Sequence, residues 1–206
     1  MISIDVNGCA VDILPVVKGL VSESGKVKEA VNGTYDTFAV SLGKEDIIAV
    51  GLRDELKDEH ELEDIDIVYL HRLGIFGETD VPAPAFSALV DACGEISAKV
   101  MPLDIDEEPY SNVYCDMIGT LELLREGRLA RKAMKKKFDM SSPEAFVISW
   151  DAFVNDTKGF RELTRLREKY MANRIRMLSK DSKRMLAVVE AERVEGIISV
   201  LGDING

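Results

Sequence analysis

The sequence predicts an α/β fold with a central, mainly parallel sheet flanked by helices, and three observations point to it. Short runs of strand length lie near residues 1–6, 37–42, 98–103 and 184–189, and segments with helical apolar spacing separate them. The stretch from about 110 to 180 is helical in pattern, so it reads as an elaboration on the sheet. The chain has 206 residues, which suits one α/β domain over 1–206 with a sizeable core.

Ile2, Ile4 and Val6 alternate with polar side chains before Asn7-Gly8, the pattern of a strand entering a turn. Ile13, Val16, Val17, Leu20 and Val21 then share one helical face, with Asp12 as N-cap and Pro15 in the first turn, so a helix is expected here. Val27, Ala30 and Val31 suggest a second, short helix closed by Asn32-Gly33, and Thr37 to Leu42 is the second strand. Leu52, Leu56 and Leu62 among acidic neighbours suggest a solvated helix, and Ile65 to Leu73 a more buried one ending at Gly74. Phe86, Leu89, Val90 and Cys93 form the next helix, followed by the strand Ala98 to Leu103.

In the helical stretch, Leu121, Leu124, Leu129, Met134 and Phe138 are expected on the apolar side of a hairpin-like pair. Arg125, Arg128, Arg131, Lys132, Lys135, Lys136 and Lys137 form its basic side. Ser142-Pro143-Glu144 is a helix start, with serine as N-cap and proline in the first turn. Trp150 shares a face with Phe146, Val147 and Phe153 and reads as an interhelical core aromatic. Arg167, Tyr170, Met171, Arg174 and Ile175 keep helical spacing, Ser179 to Lys183 is a turn, and Met185 to Val189 is a buried strand. Glu190-Ala191-Glu192-Arg193 therefore stands where a strand passes into the helix bearing Val194, Ile197, Ile198 and Leu201. In an open α/β sheet, ligands bind at that position.

Net charge is −11, which disfavours wholesale binding to nucleic acid or an anionic membrane. Cys9, Cys93 and Cys115 show no paired metal-ligand spacing and suggest a reduced, cytoplasmic setting. No apolar run reaches the length of a membrane span, and no secretory leader is expected. His60 and His71 are the only histidines and read as surface residues.

The segment Arg167-Glu168-Lys169-Tyr170-Met171-Ala172, followed by Val188-Val189-Glu190-Ala191-Glu192-Arg193-Val194-Glu195-Gly196-Ile197, resembles the C-terminal signature of the TraB family. That family is related to the TIKI metalloproteases and more remotely to the erythromycin esterase and ChaN group. The resemblance implies an α/β fold with a metallohydrolase site, yet Glu190 stands for the glycine and Arg193 for the histidine of the family's Gly-x-x-His. Similarly, Gly8-Cys9-Ala10-Val11 keeps the glycine of an earlier Gly-x-x-His with Val11 for the histidine. Val40-Ser41-Leu42 has Ser41 for a glutamate, and Asp104-Ile105-Asp106 has Ile105 for an arginine. Gly8, Asp36, Arg167, Tyr170, Met171, Ala172, Gly196 and Ile197 remain in register.

A hydrolytic metal site needs histidine or carboxylate ligands and a group that activates water, and Val11, Ser41 and Arg193 supply neither. The expectation is a TraB-like pseudoenzyme, a binding or regulatory protein without a cofactor. The alternative is a metal-dependent, peptidase-like hydrolase rebuilt from Asp104, Asp106, Glu190 and Glu192 around Mg2+ or Mn2+. If all four strands are parallel, Gly8, Ser41, Asp104 and Glu190 converge at their carboxyl ends, with Arg167 and Arg193 neutralising the acids there. The basic cluster is either a solvated face or a docking surface; the expectation is a homo-oligomer or protein partner, formed by the basic helix against the acidic segment Asp54 to Asp66 of a second copy.

Overall fold

The structure, a computed structural model, describes residues 1–55 and 62–202. Two strands, β1 (Ile2–Val6) and β2 (Cys9–Val16), are joined by Asn7 and Gly8, whose φ angles are +57° and +83°. Two consecutive positive φ values make a two-residue hairpin turn that matches strand twist, and Asn-Gly is the pair that adopts it at least cost. Val6 consequently faces Cys9, and Ile2 faces Ile13.

The helix expected from Ile13 to Val21 is not formed; β2 occupies Cys9–Val16 instead. Its apolar residues serve two faces, since Val11 and Ile13 enter one core and Leu14 and Val16 another. A strand buried on both sides reads as a continuous apolar run, here one that also fits helical spacing by coincidence. Pro15 fits because its missing N–H falls on the β1 side, as the alternation from the Ala10 N–H bonded to Lys183 requires. Opposite it β1 has already ended, so no ladder bond is lost. Asp12, expected as an N-cap, is instead buried within β2 and accepts hydrogen bonds from Ser3, Tyr35 (2.8 Å) and Arg184 (3.0 Å). Burial works against its charge, but these bonds outweigh it and hold the carboxyl below its ordinary value.

The chain continues through α1 (Glu23–Ala30), β3 (Thr37–Val40), α2 (Lys44–Gly51), α3 (Asp64–Leu73), α4 (Pro84–Glu95) and β4 (Val100–Pro102). The helical elaboration follows as α5 (Glu107–Met117), α6 (Thr120–Glu126), α7 (Leu129–Ala133), α8 (Pro143–Val154) and α9 (Lys158–Leu178). Then come β5 (Arg184–Glu190) and α10 (Val194–Gly202). The strand order is β1-β2-β5-β3-β4, parallel except for β1. β5 lies at the centre, and Met185 to Val189 are each fully buried. Leu186 and Val188 face α1 and α4, whereas Met185, Ala187 and Val189 face α9 and α10. Burial of Met185, Leu186, Val188 and Val189 contributes about 1.5–3 kcal/mol each, so this strand anchors the three layers.

The basic stretch is not one helix. It breaks at Gly127 between α6 and α7, which turns Leu129 and Ala133 inward and leaves Leu121, Leu124 and Met134 exposed. Arg125 also leaves the basic face, reaching the Phe153 and Val154 carbonyls and Asp156. Ser142 caps α8 as expected, accepting the Ala145 N–H at 3.1 Å. Leu56, His60 and residues 56–61 of the acidic segment lie outside the described residues; His71 is exposed. No described helix is long and apolar enough to cross a membrane.

Candidate functional site

Because β2, β5, β3 and β4 run parallel, their carboxyl ends open on one edge of the sheet. Ser41, Asp104 and Glu190 gather there. The Ser41 hydroxyl accepts the Glu190 N–H at 3.2 Å, tying the ends of β3 and β5 together. From α9, Arg167 Nε donates to Asp104 Oδ2 at 3.0 Å, and its terminal nitrogen reaches the same oxygen. Burial disfavours the guanidinium charge, but Glu190 and Asp104 outweigh it and hold Arg167 above its ordinary pKa.

Gly8 and Val11 do not join this edge. Gly8 turns the β1–β2 hairpin and Val11 pairs with Met185 at the start of β5, so both stand at the sheet's opposite end. The expected convergence assumed that Gly8 follows a parallel strand, whereas the strand before it is the antiparallel one. The turn that does follow a parallel strand here is Val17-Lys18-Gly19.

Arg193 is buried and its direct contacts are Asp151 on α8 and Glu168 on α9 (3.1 Å), while Asp104 at the strand ends acts on it only through its charge. Nor do the four acids of the carboxylate alternative form one group. Asp104 is engaged by Arg167 and by the Ile105 N–H, and Asp106 accepts the Lys44 N–H at 2.9 Å. Among the described residues, no three His, Cys, Asp or Glu side chains are grouped as metal ligands.

Glu190 and Glu192 instead line a cleft of about 450 Å³ at the sheet's carboxyl edge. Its walls come from α2, α3 and α8, the loop at Asp80 to Ala83, and Lys18-Gly19 after β2. Tyr69 and Trp150 stand edge to face, with ring centroids 5.4 Å apart, and both line the cleft. The Tyr69 hydroxyl donates to the Lys18 carbonyl at 2.7 Å, which fixes that ring. The acidic lining comprises Asp46, Asp66, Asp80, Asp151, Glu190 and Glu192, and the only cation among the lining residues is Lys18.

Glu192 Oε2 is sealed from solvent and has no hydrogen-bond partner. Burial, reinforced by the nearby charge of Glu190, pushes its carboxyl up to about 7. The same burial, followed by the charges of Glu192 and Glu190, raises the Tyr69 phenol, so that ring stays neutral.

Sequence reasoning found Glu190 and Glu192 from their place at a strand end. It set Trp150 aside as a core aromatic and gave Tyr69 and Lys18 no role. Trp150 does pack against Phe146 and Phe138 in the core, and it borders the cleft as well. Several residues that carry the family resemblance have packing roles: Asp36 accepts the Lys183 and Arg184 N–H groups, and Met171, Ala172 and Ile197 fill one core. No family model matches this chain, and the comparison with curated proteins found no match.

Proposed function

We propose that this chain is a non-catalytic binding protein whose ligand occupies the cleft at the carboxyl edge of the sheet. The observation that carries the reading is an aromatic-walled cleft of about 450 Å³ at the edge where open α/β sheets take their ligands. A TraB-like scaffold that has lost metallohydrolase chemistry accords with Ser41 and Arg193 where the resemblance expects a ligand and a base, and with Arg167, Asp104 and Glu190 gathered at the strand ends. Those groups are occupied with one another: Asp104 holds Arg167, and Arg193 holds Asp151 and Glu168. A cytoplasmic location fits the three free cysteines, two of them buried.

Self-association belongs to the same reading. Exposed Leu121, Leu124 and Met134 lie beside the exposed Arg128, Arg131 and Lys135 to Lys137, which gives α6 and α7 an apolar and basic surface in an acidic chain. A second copy supplies the complementary charge.

The test is hydrolysis of peptide and ester substrates with Mg2+ or Mn2+ added, run beside a ligand screen read by Trp150 fluorescence. The expected result is no turnover and a saturable fluorescence change. Metal-dependent turnover that Glu190→Gln abolishes would overturn the reading in favour of a carboxylate-built hydrolase.

A further inference from the structure

The cleft is strongly one-signed, and one of its carboxylate oxygens, Glu192 Oε2, is buried without a partner. Six of its lining residues are carboxylates and one is a lysine. Two of those acids are offset from outside, Asp151 by Arg193 and Glu190 by the charge of Arg167. Asp46, Asp66, Asp80 and Glu192 still outweigh Lys18. Asp46 and Asp80 each accept a neighbouring backbone N–H, from Gly43 and Val81. Lys18 is exposed, and it does not occupy Glu192 Oε2, which has no partner.

A buried acceptor without a donor costs about 1–3 kcal/mol, and more when it is charged. A ligand that brings the donor recovers that cost. The lining sets the donor's chemistry. An anion is repelled by the excess of carboxylates, and the acids are not grouped closely enough to enclose a metal ion. An ammonium group satisfies both the charge and the missing hydrogen bond, while Tyr69, Trp150 and Phe86 offer apolar and aromatic surface to the carbon body that carries it.

We propose that the cleft binds an organic cation, a small amine with an apolar or aromatic body, and that Glu192 is its anchoring anion. The inference rests on the binding reading above and names the ligand class of that site.

Binding should depend on pH in a defined direction. Glu192 faces Glu190 from β5, Tyr69 and Asp66 from α3, Asp151 from α8, Lys18 after β2 and, more distantly, Arg167 from α9. Its proton must leave before it anchors a cation, so affinity should rise with pH through the region near 7. A permanently charged ligand isolates this effect, because its own charge does not titrate.

The experiment titrates the full chain with benzylamine, benzyltrimethylammonium, benzyl alcohol and benzoate, following Trp150 fluorescence. Saturable binding of both cations is expected, with benzyl alcohol and benzoate weaker by about tenfold or more, a difference of about 1.4 kcal/mol. Benzyltrimethylammonium should bind more tightly at pH 8 than at pH 6, and Glu192→Gln should weaken it by about tenfold and flatten its pH dependence. Equal binding of benzyl alcohol, or of Glu192→Gln, would overturn the cation inference and leave the binding reading standing. No response to either amine up to about 10 mM would overturn it as well, because an anchored ion pair in this cleft implies tighter binding than that. Failure of the binding reading itself has a different signature, the metal-dependent turnover described above.

Discussion

Arg167 and Glu192 show how the same edge of the sheet treats opposite charges. Arg167 is half-buried against a buried Asp104, so removing its guanidinium leaves an unpaired carboxylate in a desolvated place. Arg167→Ala should cost about 2–4 kcal/mol, measured by urea unfolding, and an unchanged midpoint would mean that the pair is not formed in solution. Glu192 has the opposite problem. In the folded state it keeps its proton to about 7, whereas an unfolded glutamate loses it near its ordinary value of 4.5. The folded state therefore binds more protons between those values, and the stability tied to this group falls as pH rises through that window. Glu192→Gln should raise the melting temperature more at pH 8 than at pH 5, by the equivalent of about 2 kcal/mol. A variant that gains stability while losing the bound cation is the mark of a group kept for binding; equal effects at both pH values would mean that the carboxyl is solvated. Glu190 and Glu192 were legible in the sequence because they end an apolar strand. The isolation of Glu192 was not, because it depends on α3 and α8, which are remote from it in sequence.

At the scale of elements, the contact of α9 with α10 turns on Gly196. A Cβ placed there would collide with the Glu168 carboxylate, which is itself held by Arg193 at 3.1 Å. Gly196→Ala should thus destabilise the chain by about 1–3 kcal/mol, and combining it with Glu168→Ala should cost less than the sum of the two changes. Additivity in a double-mutant cycle would show that the two positions do not meet. Most elements were readable from pattern: the buried run of β5, the Ser142 cap of α8 and the helical elaboration all stand where spacing puts them. β2 was not, because Ile13, Val16, Val17, Leu20 and Val21 satisfy helical spacing, and only the hairpin signal of Asn7-Gly8 tells against it. That one element moved Gly8 and Val11 to the far end of the sheet. It also put Lys18 and Gly19 at the cleft in their place. The basic stretch was misjudged for a smaller reason, since Gly127 ends α6 and turns the next helix.

For the whole molecule, charge is unevenly spread. An acidic chain of net charge −11 carries a basic surface on α6 and α7 beside exposed leucines, and an acidic cleft at the sheet's edge. Dimers formed through the basic surface should weaken as salt rises and be lost in the Lys135→Glu, Lys136→Glu, Lys137→Glu variant, as judged by sedimentation at two salt concentrations. A monomer in low salt, or a dimer indifferent to both changes, would make that surface a solvated face. The cleft has its own decisive test, a crystal structure of the chain grown with benzylamine and Mn2+ together. The account predicts the ammonium within hydrogen-bond distance of Glu192 Oε2 with the ring beside Trp150 and Tyr69. Manganese bound between Asp104 and Glu190, with the amine absent from the cleft, would contradict it.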